Sequence, residues 1–460
     1  MKNTGILLIA KISTQIINFF LIPLYTAVLT TQEYGTVDIY TSLAMILIPI
    51  LTLQVEMALF RYYIVNKNEK DRVEIVSSSY AIVIVISIVV SVIYWIAAIL
   101  LKLPNRGLLY GYYLSLMLST MLLQTCRAKG DNIGYGSANF ISSIITVVLN
   151  ILFVKFSPWK VKGILCSMII AQLIGSGYMI YRTKVWKNFK IASVKKSRCK
   201  ELLRYSIPLV FNQIASWAIN YSDRLIIIYK WGEGSNGIYA IANKFANIIN
   251  TFFSVYNVAW TENVVKSMND EDCNKYISRI FELTFSIYII LIAIILNFLP
   301  FFFNILVKGE FQEAYQQVPI LLISMLFSGM AATIGSIYIA YNKTKNVSIT
   351  TILAGVSNVI IHLILLEKFK LYAASISTLI SFIILFVYRY FDVKKFFKLK
   401  VNGMRICIQL IVLILVWIAF ASRNTVLIIG GMILNICYIS YILFNNKELI
   451  YKVINKFKKA

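Results

Sequence analysis

The stretch IVIVISIVVSVIYWIAAIL, residues 82–100, carries no charge and no turn residue. A helix rises 1.5 Å per residue, so a run of this length reaches across a hydrocarbon core of roughly 30 Å. Comparable runs recur along the chain, separated by short polar breaks. Spans are expected at 6–29, 39–60, 78–101, 108–126, 137–156, 163–181, 205–229, 237–260, 280–303, 317–341, 346–366, 371–391, 404–421 and 425–444, about fourteen helices in all. Strands of a transmembrane barrel would be about ten residues long and would alternate polar with apolar, which these runs do not. With 59% of 460 residues hydrophobic, 14% charged and a mean hydropathy of +0.75, the chain is expected to be an all-α polytopic membrane protein.

The first span follows Lys2 but contains Gln15 and Asn18 and lacks a small-residue cleavage site, so it reads as a retained helix and not a signal peptide. The six cysteines stand singly and suggest neither a disulfide framework nor a metal site. A net charge of +25 raises the question of nucleic acid, but the basic residues sort by side of the membrane. Alternate connections, including 182–204, 266–279 and 389–405, outweigh the others in Lys and Arg by about three to one. That bias predicts both termini in the cytoplasm and only short loops outside, and makes the charge a topology signal.

Shifting the chain by 202 residues lays EYGTVDIY over SNGIYAIA, so that Gly35 matches Gly237, and lays the first three spans over the seventh to ninth. Six helices per repeat give two parallel lobes, as in transporters whose halves are related by an axis along the membrane normal. The expected layout is a lobe at 1–183, a basic cytoplasmic linker at 184–204, a second lobe at 205–391, and two further helices with a basic tail at 392–460.

The segment NQIASWAINYSDRLIIIY, residues 212–229, places Gln213, Asn220, Asp223 and Arg224 within a span. A charge there costs roughly 2.5–3.5 kcal/mol on insertion scales, which favours burial against a wet cavity. Asp223 and Arg224 lie about 100° apart on a helix, so each needs its own partner. Lys11, Gln15 and Asn18 share a face of the first span, and Asn243, Lys244 and Asn247 cluster in the eighth. The competing reading is snorkelling for the cations and interhelical hydrogen bonding for the amides. Pro23 and Pro49 are expected to bend the first two spans. His362 is expected at the outer interface, and Glu56 to pair with basic residues at the cytoplasmic edge.

NYSDRLIIIYKWGEGSNGIYAIANKF and NFFLIPLYTAVLTTQEYGTVDIY resemble the corresponding helices of polysaccharide exporters in the multidrug/oligosaccharidyl-lipid/polysaccharide superfamily. The resemblance implies a fold like that of multidrug and toxic compound extruders. It further implies a flippase of the O-antigen and capsule repeat-unit (Wzx) type, which moves an undecaprenyl-pyrophosphate-linked oligosaccharide across the cell membrane by alternating access. Membrane lipids and other surface-polysaccharide assembly proteins are the partners it implies. On that reading Arg224, Lys244, Lys11 and Arg61 are candidate contacts for pyrophosphate, with arginine suited to bidentate contact and lysine to a point charge. Asn18, Gln15, Asn220, Gln213, Asn243 and Asn247 are candidates for sugar hydroxyls. Asp223 and Glu56 are candidates for H+ or Na+ coupling, and no other cofactor is expected.

An ATP-driven pump is disfavoured, since no stretch fits GxxxxGK[ST]. A glycan polymerase or ligase usually presents a large outer loop, which is not expected here, and the D-x-D that a glycosyltransferase would use occurs only in NDED at 269–272, which reads as a solvated turn. The alternatives within transporters are a lipid-linked peptidoglycan-precursor flippase and a multidrug or cation antiporter.

Overall fold

The computed structural model describes residues 19–445 apart from Asn269. Several of its helices begin at small polar caps, supplied by Thr30, Asn68, Asp131 and Asn402. The helix α1 (Ile22–Val28) has Pro23 in its first turn, where a missing N–H removes no helical bond. Thr30 then caps α2 (Thr31–Thr52): its hydroxyl accepts from Glu33 N, and the Glu33 carboxylate accepts from Thr30 N. That reciprocal box satisfies two of the donors a helix start leaves unpaired. The helix α2 contains Pro49 and stops at Leu53 and Gln54, both left-handed with φ of 47° and 55°. The chain then resumes as α3 (Val55–Val65). The single span expected at 39–60 therefore straddles a break. Pro23 stands just after a turn at Phe20 and Leu21 that separates Phe19 from α1, and the rest of the span it was expected to bend lies outside the described residues.

Helix α4 (Glu69–Leu100) runs for 32 residues, about 48 Å at 1.5 Å per residue, and overshoots the hydrocarbon core. Its polar first turns meet the following basic segment: Glu74 pairs with Lys195, and Arg198 reaches Asp71 at 3.4 Å. Farther along, Ile84, Val85, Ile88, Val89, Val92, Ile93, Ile96 and Ile99 are exposed on the protein surface and suited to lipid. After α5 (Arg106–Ala128), Asp131 caps α6 (Asn132–Asn150) by accepting from Gly134 N at 2.8 Å. Helix α6 widens into a π turn at Ile151–Lys155. Then come α7 (Lys160–Thr183), the short α8 (Val185–Asn188) and α9 (Lys196–Ser267), in which Gly232 adopts φ 80° and ψ 175° and so divides two helical arms. Only glycine takes such a backbone conformation readily.

The remaining helices are α10 (Cys273–Leu306), α11 (Val318–Ala340), α12 (Thr344–Phe369), α13 (Tyr372–Val393), α14 (Gly403–Ser422) and α15 (Thr425–Asn445). Two compact units result, one running to Ala240 and taking in Gly309–Phe311, the other beginning at Ile241. In the first, Tyr40, Leu59, Ile75, Tyr112 and Met121 belong to one buried apolar cluster. In the second, α11 is the most enclosed helix. The buried Arg389 of α13 there donates to Thr350 Oγ1, Thr351 Oγ1 and the carbonyls of Ala331 and Val347, at 2.8–3.1 Å. His362, expected at an interface, is fully buried.

Ten helices among the described residues are long and apolar enough to cross a membrane, α2, α4, α6, α7 and α10 to α15, and the protein is a multi-pass membrane protein. The count from sequence is higher by four spans. The span 6–29 lies largely outside the described residues, 108–126 falls on the less apolar α5, and 205–229 and 237–260 lie on the two arms of α9. Polar side chains embedded in α9 lower its hydropathy.

Candidate functional site

Two glycines let α2 and the first unit's portion of α9 touch backbone to backbone. A Cβ on Gly35 would lie 1.8 Å from the Glu233 carbonyl oxygen, and one on Gly237 would lie 2.0 Å from that of Thr31. Close approach of this kind is what small residues at helix interfaces provide in membranes, where apolar burial alone gives little drive. The two glycines are the pair matched by the 202-residue shift.

Polar groups gather around this contact. Arg224 Nε donates to Asp38 Oδ2 at 2.7 Å, and both side chains are largely buried. Arg224 also donates through a terminal nitrogen to the Asn220 carbonyl at 3.1 Å, and its guanidinium lies 4.8 Å from the Tyr221 ring centre. The buried Asn236 donates to the Gly35 carbonyl at 3.1 Å and to Asp38 Oδ2 at 3.3 Å, so one carboxylate oxygen receives both Arg224 and Asn236. One turn away, Thr36 donates to Glu233 Oε2 at 2.7 Å. Tyr239 OH donates to Asp223 Oδ2 at 3.2 Å, and Trp217 Nε1 donates to the Ser42 carbonyl at 2.7 Å. Thr31, at the start of α2, donates to Glu310 Oε2 at 2.9 Å. The bonds made by Gly35, Thr36, Asp38 and Ser42 tie α2 to α9.

A charge pair taken out of water is sustained by good geometry and further hydrogen bonds, and removing one member alone leaves an uncompensated buried charge. The Asp38–Arg224 pair has both supports. It fastens α2 to α9 and carries no nucleophile beside a base. Among the described residues no group of three or more His, Cys, Asp or Glu side chains is arranged to hold a metal ion.

The other residues singled out by sequence are dispersed. Lys11, Gln15 and Asn18 lie outside the described residues. Asn220 is exposed and donates to the Ser216 carbonyl at 2.7 Å, and Gln213 is half-buried. Arg61, on α3, is exposed and stacks 4.5 Å from the Tyr205 ring. Asn243, Lys244 and Asn247 are half-buried and belong to the second unit. Glu56 corrects an expectation: it is 2% exposed, forms no ion pair with a described residue, and its Oε2 has no hydrogen-bond partner among them. The position at the start of α3, directly after the break at Leu53–Gln54, turns it into the protein interior and away from the basic edge.

Asp38, Asn236, Glu233 and Thr36 were missed. Asp38 stands one helical turn from Gly35 in the very stretch EYGTVDIY that matched SNGIYAIA. The expected repeat axis makes an element beside it meet its own copy, so Asp38 was open to recognition as a partner for the embedded arginine.

A family model described as polysaccharide biosynthesis protein matches residues 1–261. An Lsg-locus protein of Haemophilus influenzae is 22% identical over 266 residues, which is 56% of this chain and 64% of that protein. An uncharacterized membrane protein of the same organism is 24% identical over 267 residues, 56% of this chain and 63% of its own. Each match therefore spans less than two thirds of the relative. Among solved structures, the lipid II flippase MurJ in an inward closed conformation superposes with a TM-score of 0.72 at 14% identity, covering 97% of this chain and 99% of that one. An inward-facing multidrug resistance transporter of the multidrug and toxic compound extrusion family has a TM-score of 0.68 at 13% identity, covering 84% and 98%. With more than half of its length matched by the family model and the helical fold shared with these structures, the chain belongs to the polysaccharide biosynthesis protein family of membrane proteins.

Proposed function

We propose that this protein is a flippase that carries a polyprenyl-pyrophosphate-linked glycan across the bacterial cell membrane. The observation that carries the reading is the extent of the fold match. The lipid II flippase covers nearly the whole chain, whereas the multidrug transporter leaves about a sixth of it unmatched. That sixth is about the size of α14, α15 and their flanks.

The cargo explains why a protein is needed. A sugar hydroxyl buried without a partner costs about 4–8 kcal/mol on a water-to-cyclohexane scale, so even a disaccharide cannot cross unaided. The polyprenyl tail remains in the bilayer throughout. Alternating access then requires a contact that closes one side and releases, and the Gly35–Gly237 approach fastened by Asp38 and Arg224 fits that part. The charge bias assigns it to the outer face. Lys11, Lys244 and Arg61 remain candidates for holding pyrophosphate, while Arg224, engaged by Asp38, acts first as a latch. Glu56, buried with an unpartnered carboxyl oxygen, fits a proton-coupling role better than Asp223, which accepts from Tyr239.

Two cargoes are open. The likeness to the lipid II flippase supports a peptidoglycan precursor better than the O-antigen or capsule repeat unit that the sequence put first. The family model over 1–261 supports the repeat unit. Membranes from a strain lacking the protein distinguish them. Lipid-linked glycan should accumulate in a form that an impermeant lectin cannot reach from outside until the gene is restored. A disaccharide-peptide there identifies the precursor, and a complete oligosaccharide the repeat unit. Normal amount and exposure of both would overturn the proposal.

A further inference from the structure

Helices α10, α14 and α15 enclose a cavity of about 260 Å³ at the membrane face that holds the start of α10, the start of α14 and the end of α15. The charge bias assigns this face to the cytoplasm. Arg279, Glu282, Ser286, Arg405, Ile442 and Asn445 line it. Glu282 is fully engaged: its two oxygens accept from Asn402 N at 2.7 Å and from Arg405 Nη1 at 2.9 Å. Arg405 thereby uses one of its five donors on this carboxylate, and Arg279 is exposed and forms no ion pair with a described residue. Two guanidinium groups against one carboxylate leave the mouth with a net positive charge. Both arginines present forked donors suited to phosphate oxygens.

The inner wall is polar and internally bonded. Ser286 Oγ donates to the Glu282 carbonyl at 2.9 Å and accepts from Gln409 at 2.7 Å, and the Tyr438 hydroxyl lies against both Ser286 and Gln409. Beside these groups, Ile408 and Ile411 of α14 and Tyr441 of α15 are exposed apolar surface. The cavity therefore combines a cationic mouth with an apolar flank.

We propose that this cleft binds the headgroup of an anionic membrane phospholipid, with phosphatidylglycerol as its probe. The lipid phosphate sits between Arg279 and Arg405, and the acyl chains lie along α14 and α15. Basic clefts between helices on a cytoplasmic face are general sites for such headgroups. The site is separate from the Asp38–Arg224 fastening and does not depend on which cargo is moved.

The test is native mass spectrometry of the purified full chain titrated with phosphatidylglycerol or with phosphatidylcholine. Wild type should bind phosphatidylglycerol at least tenfold more tightly than phosphatidylcholine. Arg279→Gln should reduce that preference several-fold, and Arg279→Gln with Arg405→Gln should remove it. Lys67→Gln, an exposed charge in the first unit, should leave it unchanged. Since Arg405 also holds Glu282, the single Arg279→Gln variant, which breaks no bond seen here, guards against misfolding. Equal binding of the two lipids, an unchanged preference in Arg279→Gln, or full competition by millimolar inorganic phosphate would each overturn the proposal, the last by pointing to a free-anion site.

Discussion

Replacing Asp38 with asparagine keeps the shape of the side chain and removes its charge, leaving Arg224 buried against a neutral amide. Losing one member of a buried pair costs about 3–5 kcal/mol. Arg224 keeps its bond to the Asn220 carbonyl and its place over Tyr221, and cation–π contact offsets roughly 1 kcal/mol. The lower end, about 3 kcal/mol, is therefore expected, and it lowers the ratio of fastened to released protein by about two decades. The assay is crosslinking in membranes between cysteines placed at Thr36 and Glu233, whose native side chains bond at 2.7 Å. A short bifunctional reagent should link them readily with Asp38 present and far more slowly in Asp38→Asn. Exchanging the charges, Asp38→Arg with Arg224→Asp, should recover part of the rate, and Arg224→Lys should fall between, since it keeps charge without the fork. Equal crosslinking in Asp38→Asn and wild type would refute the fastening.

Other outcomes follow from single residues. Gly35→Leu or Gly237→Val should abolish transport by wedging α2 from α9, while Gly430→Ala, which meets nothing within 4 Å, should be neutral in the same flipping assay. Arg182 beside Asp131 holds the latter's carboxyl below the usual carboxylate range. That stability is present above the unfolded value near 3.9 and is lost as pH falls through the lower folded value. Asp131→Asn should accordingly melt lower than wild type at pH 7, by at most about 1 kcal/mol for so exposed a pair, with the gap closing below about pH 4. Arg389→Leu should destabilise the protein by roughly 1–3 kcal/mol through the acceptors it strands, and Arg389→Lys should not rescue the melting temperature, because an ammonium cannot reach four partners at once.

The helical class and most helix positions were legible because apolar length in a membrane is set by bilayer thickness and little else. The break at Leu53–Gln54 was not, since neither residue is a turn former and two left-handed residues in succession leave no compositional mark. The fastening was half legible. Arg224 stood out as a charge inside an apolar run, and Gly35 and Gly237 stood out through the repeat. Asp38 did not, because the span expected at 39–60 begins just after it. Glu56 was misread for the opposite reason: closeness in sequence to Arg61 suggested a partner, but Glu56 turns inward while Arg61 packs on Tyr205. Five residues along a helix turn the direction by about 140°, so closeness in sequence did not bring the two side chains together.

The apolar face of α4 also bears on how the chain is made. Its window from Ile82 to Val90 is dense in β-branched residues, uncharged and free of proline, the composition that favours stacked strands when such a segment meets its own kind in water. Held as a helix in lipid, the same residues have every backbone group satisfied. The segment is therefore safe only after insertion, and a chain released from the ribosome before reaching the membrane should aggregate through α4 first. Expression of this protein would then be limited by delivery to the insertion machinery before it is limited by the stability of the folded state.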